Sequence, residues 1–146
     1  MNRVEYAQDF LRQGYSCSQS VLGTFIEEFG VDRDTALRIS SAFAGGMGGL
    51  GGVCGAVTAA FMVIGLKYGS ATKQDDEEMN KISKYARSFM NEFQSCNGSA
   101  LCRDLLGVDI GTPEGLETAK TKGLFENICP DIVGSSVEII EEIISD

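Results

Sequence analysis

The sequence predicts an all-α protein. It reads as a single helical domain over residues 1–146, a compact bundle of about five main helices with shorter ones between them. Three observations predict this. Apolar residues recur at spacings of three and four along most of the chain. Capping residues and glycine or proline stops bracket the recurring runs. No stretch alternates apolar and polar residues with the period of two that a half-buried strand needs.

Val4, Ala7, Phe10 and Leu11 mark one face of a first helix that ends near Gly14. Ser16-Cys17-Ser18-Gln19 has the capping-box spacing and opens a second, lined by Val21, Leu22, Phe25, Ile26 and Phe29 and stopped by Gly30. Asp32 or Asp34 caps a third, with Ala36, Leu37, Ile39, Ala42 and Phe43 on its inner face. A fourth opens near Val53 and runs to Tyr68, with Gly69 at its end. A longer charged helix spans about Lys73 to Phe93, its stripe reading Met79, Ile82, Ala86, Phe89, Met90 and Phe93. Ser99 begins a short helix through Leu106, and Thr112-Pro113 begins another. Pro130 opens the last, where Ile132, Val133, Val137, Ile140 and Ile144 alternate with Glu138, Glu141 and Glu142.

Twelve basic against 21 acidic side chains leave a net charge of −9. That balance argues against nucleic acid as a partner, because phosphate binding needs clustered Lys and Arg. It also disfavours docking on anionic lipid. The longest apolar run, Val53 to Leu66, is interrupted by Gly55, Thr58 and Gly65, and a span needs about 20 residues. The polar start, Met1 to Glu5, lacks the apolar stretch of a signal peptide, so the expected location is cytoplasmic. There are no histidines, which excludes Ser-His-Asp and Cys-His catalysis and every His-ligated metal.

Residues 45 to 55 read Gly-Gly-Met-Gly-Gly-Leu-Gly-Gly-Val-Cys-Gly. The run contains the pattern G-x-G-x-x-G, but a helix precedes it rather than a strand, so it is not a dinucleotide fingerprint. No Lys-Ser or Lys-Thr follows, which excludes a phosphate-binding Walker loop. Glycines still allow positive φ and close backbone approach, and they aim N–H groups toward the start of the fourth helix. Gly46, Gly48, Gly49 and Gly51 are therefore candidate cofactor- or anion-binding residues, and the nearest candidate anion is the thiolate of Cys54. The alternative is a tight corner between two packed helices. Gly52, Ala56 and Ala60, and likewise Gly55 and Ala59, give the fourth helix two small faces for close packing.

Five cysteines remain as the chemistry-bearing residues: Cys17, Cys54, Cys96, Cys102 and Cys129. The cap signals place Cys17, Cys54, Cys102 and Cys129 each at a helix start, where the dipole and unpaired N–H groups stabilise a thiolate. Cys96 falls at a helix C-terminus, where the dipole opposes one. On this reading at least three of the four gather in space and Cys96 stays outside. Cys54 is the expected most acidic thiol, because the glycine loop supplies donors, while burial beside Val57, Phe61 and Ile64 opposes them. No C-x-x-C and no zinc-ribbon or ferredoxin spacing occurs.

At these residues the chain resembles a bacterial and archaeal family of redox-active proteins named for its pattern, C_GCAxxG_C_C. The resemblance runs through Gly14-Tyr15-Ser16-Cys17-Ser18-Gln19, Phe43-Ala44-Gly45-Gly46, Val53-Cys54-Gly55-Ala56, Cys102-Arg103-Asp104-Leu105-Leu106-Gly107 and Cys129. Here the order is Cys54-Gly55-Ala56 where the family's name has Gly-Cys-Ala, and Ala59 and Ala60 stand where its later glycine is expected. The resemblance implies a helical fold and redox or metal chemistry at Cys17, Cys54, Cys102 and Cys129, with Cys96 additional.

Three functions fit. The first is thiol redox chemistry, as an electron or disulfide carrier serving a redox protein partner, with Cys54 as the attacking thiolate and Cys17 or Cys129 as the resolving thiol. The second is an iron–sulfur cluster or other metal held by Cys17, Cys54, Cys102 and Cys129. The third is a helical interaction module, open to self-association as a homo-oligomer, whose cysteines only fill the core.

Overall fold

The computed structural model describes residues 1–145, which form eight α-helices and one 3₁₀ turn. Among the described residues there is no strand; the one extended feature is an isolated antiparallel bridge between Val53 and Leu101. In order the helices are α1 (Arg3–Arg12), α2 (Cys17–Phe29), α3 (Arg33–Ser40), α4 (Gly55–Tyr68), α5 (Asp76–Asn97), α6 (Cys102–Leu106), α7 (Pro113–Thr121) and α8 (Leu124–Ile144). No helix is long and apolar enough to cross a membrane.

Local chemistry sets most of the ends. Asn2 and Ser16 each close a capping box, with Glu5 and Gln19 respectively, and so satisfy orphan donors at the starts of α1 and α2. Asp32, Asp75 and Thr112 cap α3, α5 and α7 through side-chain oxygens. Gly30 and Gly98 end α2 and α5 in the left-handed conformation.

α4 is the axle of the bundle. It packs against α2, α5 and α8, and Ala56, Val57, Ala59, Ala60, Val63 and Ile64 are fully buried. Its small residues let α2 come close: a Cβ on Gly55 would lie 2.6 Å from the Cys17 sulfur. α1 lies across α2 and α8, and the Gln8 side-chain amide donates to the Pro130 carbonyl at 3.0 Å. The buried stripe of α8, with Ile132, Val133, Val137, Ile140 and Ile144, is the one expected from the sequence. A second, smaller core of Cys102, Leu106, Ile110 and Ala119 lies beneath α7 and the start of α8.

Several sequence expectations need correction. α8 begins at Leu124, so Pro130 lies inside the helix rather than at its start, and Cys129 is an interior residue rather than a cap. α6 begins at Cys102 with Leu101 as its cap; Ser99 instead accepts from the Leu101 N–H and donates to Asp104. α5 starts at Asp76, three residues later than the sequence suggests. Met79 and Ile39, expected on buried stripes, are 50% and 58% exposed.

Candidate functional site

The site sits on the seam between the two cores. Cys54 belongs to the larger core, Cys102 to the smaller, and Cys17 and Cys129 pack against them from either side. Four hydrogen-bonded positions fix this seam. The Cys54 N–H donates to the Ala100 carbonyl at 2.8 Å, and the Cys102 N–H to the Gly52 carbonyl at 2.7 Å. The Arg103 N–H and its guanidinium both donate to the Gly51 carbonyl, at 3.2 and 3.3 Å. The segments before α4 and α6 are thus bound side by side, which sets Cys54 against Cys102. Nothing in the linear sequence announces this pairing.

The glycine loop leading to Cys54 winds left-handed. Gly45, Gly46, Met47, Gly48 and Gly49 have φ of 65°, 75°, 67°, 66° and 74° in succession. Only glycine takes this conformation without cost, so Met47 is strained there by about 1 kcal/mol. The loop's amides are used internally. Gly48 donates to Ala42, Gly49 to Ala44, Gly51 to Gly45 and Gly52 to Gly46. Gly48, Gly49 and Gly51 thus spend their N–H groups inside the loop, and Gly46 lines the cavity described next.

Cys17, Cys54, Cys102 and Cys129 line one cavity of about 730 Å³, together with Arg12 and Glu126. Cys96 is exposed and lies elsewhere, near the end of α5. All five are free thiols. Among the described residues, no three or more cysteine or carboxylate side chains are placed to hold a metal ion.

The four thiols are not equivalent. The Cys17 pKa is lowered to about 6, chiefly because the Cys54 S–H donates to its sulfur; burial opposes this, and the N–H groups of Gly45, Ser18 and Gly55 assist. Those three amides come from the glycine loop, the first turn of α2 and the first residue of α4. Two helix N-termini and the loop therefore converge on one sulfur. Cys54 is pushed well above the ordinary thiol range by its role as donor to Cys17, by burial and by the charge on Cys17. Its own cap position brings only the Ala56 amide toward it, and no cap hydrogen bond forms. The donors that the sequence aims at Cys54 converge instead on Cys17, which is lowered while Cys54 is raised. Burial dominates at the other two, raising Cys102 to about 11 and Cys129 to about 12, and repulsion from Cys17 adds to both.

These directions fix how stability depends on pH. Cys17 is depressed in the folded state, so its contribution is present above the unfolded value of about 8.5 and is lost as pH falls through about 6. Cys54, Cys102 and Cys129 are raised, so the folded state keeps protons that the unfolded chain releases above about 8.5. Stability in urea should climb from pH 6 to about 8.5 and decline beyond it. Cys17→Ala should flatten the climb and leave the decline; a wild-type midpoint flat across pH 6 to 8.5 would contradict the assignment.

Comparison with known families agrees with this chemistry. A family model described as "Putative redox-active protein (C_GCAxxG_C_C)" matches residues 15–143. The chain belongs to that family. The match begins just before the Ser16-Cys17 cap and ends within α8, so it takes in all four cavity cysteines. No curated protein and no solved structure matches the chain.

Proposed function

We propose that the protein is a thiol–disulfide redox carrier whose working pair is Cys17 and Cys54. The observation that carries this reading is geometric: Cys17, the first residue of α2, and Cys54, the cap residue of α4, line the wall of one cavity, with the Cys17 sulfur packed closely over Gly55. A thiolate is the attacking species in thiol–disulfide exchange, and the optimum attacker has a pKa near the ambient pH. Cys17 fills that role, and Cys54, on the same cavity wall, resolves the mixed disulfide. The pair cycles between dithiol and disulfide, and a thiol reductant restores the reduced form. The natural setting is the cytoplasm, where thiols are kept reduced.

The test is alkylation with iodoacetamide across pH, with each site read by peptide mass, in a Cys96→Ser background. Cys17 should react with a midpoint near about 6. Cys54→Ala should move that midpoint up toward the ordinary thiol value of about 8.5. A Cys17 that reacts with an ordinary midpoint, or only after unfolding, defeats the proposal.

The gathering of four cysteines on one cavity supports a second reading, a metal or iron–sulfur cluster held by Cys17, Cys54, Cys102 and Cys129. That reading requires the sulfurs to draw together from their present positions. Protein purified without oxygen carries iron or another metal under this reading and none under the first.

A further inference from the structure

The cavity itself says what kind of oxidant the pair meets. We infer that it admits a small, uncharged, largely apolar disulfide, rather than a disulfide carried by a protein; this rests on the thiol reading of Cys17 and Cys54. Four features support it. The volume, about 730 Å³, lies in the range of sites that enclose small molecules, about 300–1,000 Å³. Cys17 is half-buried and Cys54 only 6% exposed, so a disulfide meets the pair inside the cavity rather than on an open face. The walls are apolar, with Leu11, Leu105, Leu106, Phe125 and Ile132 from three different helices. The polar edge carries one cation, Arg12, and one anion, Glu126, so it selects for no net charge.

The remaining thiols fit the same role. Cys102 and Cys129 stay protonated at neutral pH, so they extend the apolar wall and do not compete as nucleophiles. With Arg12 and Glu126 offsetting each other at the edge, the remaining charge is the Cys17 thiolate, which repels anionic substrates.

The step balances with no further reagent. The Cys17 thiolate attacks one sulfur of R–S–S–R, the substrate S–S bond breaks, and RS⁻ leaves. It takes the proton of the Cys54 thiol and departs as RSH. The Cys54 sulfur then attacks Cys17, closing the Cys17–Cys54 disulfide and releasing the second half as RS⁻. Two electrons pass from the protein pair to the substrate.

The probe is 4,4′-dithiodipyridine, an uncharged chromogenic disulfide, with reduced Cys96→Ser protein. Its reaction rate should saturate with concentration, and its unreactive isostere 1,2-di(4-pyridyl)ethane should slow iodoacetamide attack on Cys17 at least tenfold. Leu11→Trp, and independently Leu105→Trp, should abolish saturation by filling the cavity from α1 and from α6. Insulin disulfides should be reduced no faster than by a free thiol at equal concentration. A low Cys17 midpoint with neither saturation nor protection, or with rapid insulin reduction, overturns this inference alone. An ordinary Cys17 midpoint sinks the thiol reading and this inference with it.

Discussion

Gly46→Ala should cost the protein about 3–4 kcal/mol of stability, enough to unfold a marginal domain. Two penalties add. The residue sits at φ 75°, where an L side chain costs about 1 kcal/mol. Its Cβ would also drive into the backbone of Gly51 and Gly52, meeting the Gly52 nitrogen, the Gly51 carbonyl carbon at 2.7 Å and the Gly52 oxygen at 2.8 Å. Backbone cannot swing aside as a side chain can. The same Gly52 donates to Gly46 and accepts from Cys102, so the disturbance reaches the seam that aligns the thiols. Gly49→Ala is the control. It has φ 74° but open space around its Cβ, and should cost only about 1 kcal/mol. Urea denaturation of both variants checks the contrast; equal losses would show that the close approach at Gly46 is not what constrains it.

Gly55→Ala should remove the acidity of Cys17 as well as stability. The new methyl would stand 2.6 Å from the Cys17 sulfur, and 3.1 Å from both the Phe43 carbonyl oxygen and the Ser18 Cβ. The sulfur must move, and it moves away from the Gly55 and Ser18 amides that favour its thiolate. Overpacking of this kind costs about 2 kcal/mol. The alkylation midpoint of Cys17 should rise toward about 8.5. Deleting the sulfur offers a rescue: Cys17→Ala with Gly55→Ala should recover at least about 1 kcal/mol relative to the sum of the single variants, since the two residues are in contact. Strict additivity would mean that the sulfur is not what the methyl displaces.

Much of the fold is legible in the sequence because its signals are local. A capping box needs only residues three apart, and Ser16 and Gln19 form the one expected. The α8 start shows where local signals mislead. Proline suits a first helical position, yet here Pro130 is tolerated inside α8, and the helix opens at Gly123, which makes no side-chain cap. Cys129 was misplaced with it. The four cysteines line one cavity, but helix-start placement does not explain it, since Cys129 is interior to α8, and it does not rank them. Cys54 has the glycine loop beside it in sequence, while the loop's amide reaches Cys17 instead, because α4 packs on α2 through Gly55. That contact joins residues 38 positions apart (55 − 17 = 38), and periodicity carries no information about it.

The paired thiols have an electrophoretic consequence. On the proposed thiol pair, the reduced protein should carry one charge at neutral pH beyond the −9 of its ordinary ionisable groups, from Cys17. Closing the Cys17–Cys54 bond erases that charge. With no histidine to blur the comparison, the two redox forms differ in mobility at pH 7.5 and migrate together at pH 5, where Cys17 holds its proton. Oxidation state is thereby written into net charge, and a native gel or an ion-exchange column can read it without any reagent touching the sulfurs.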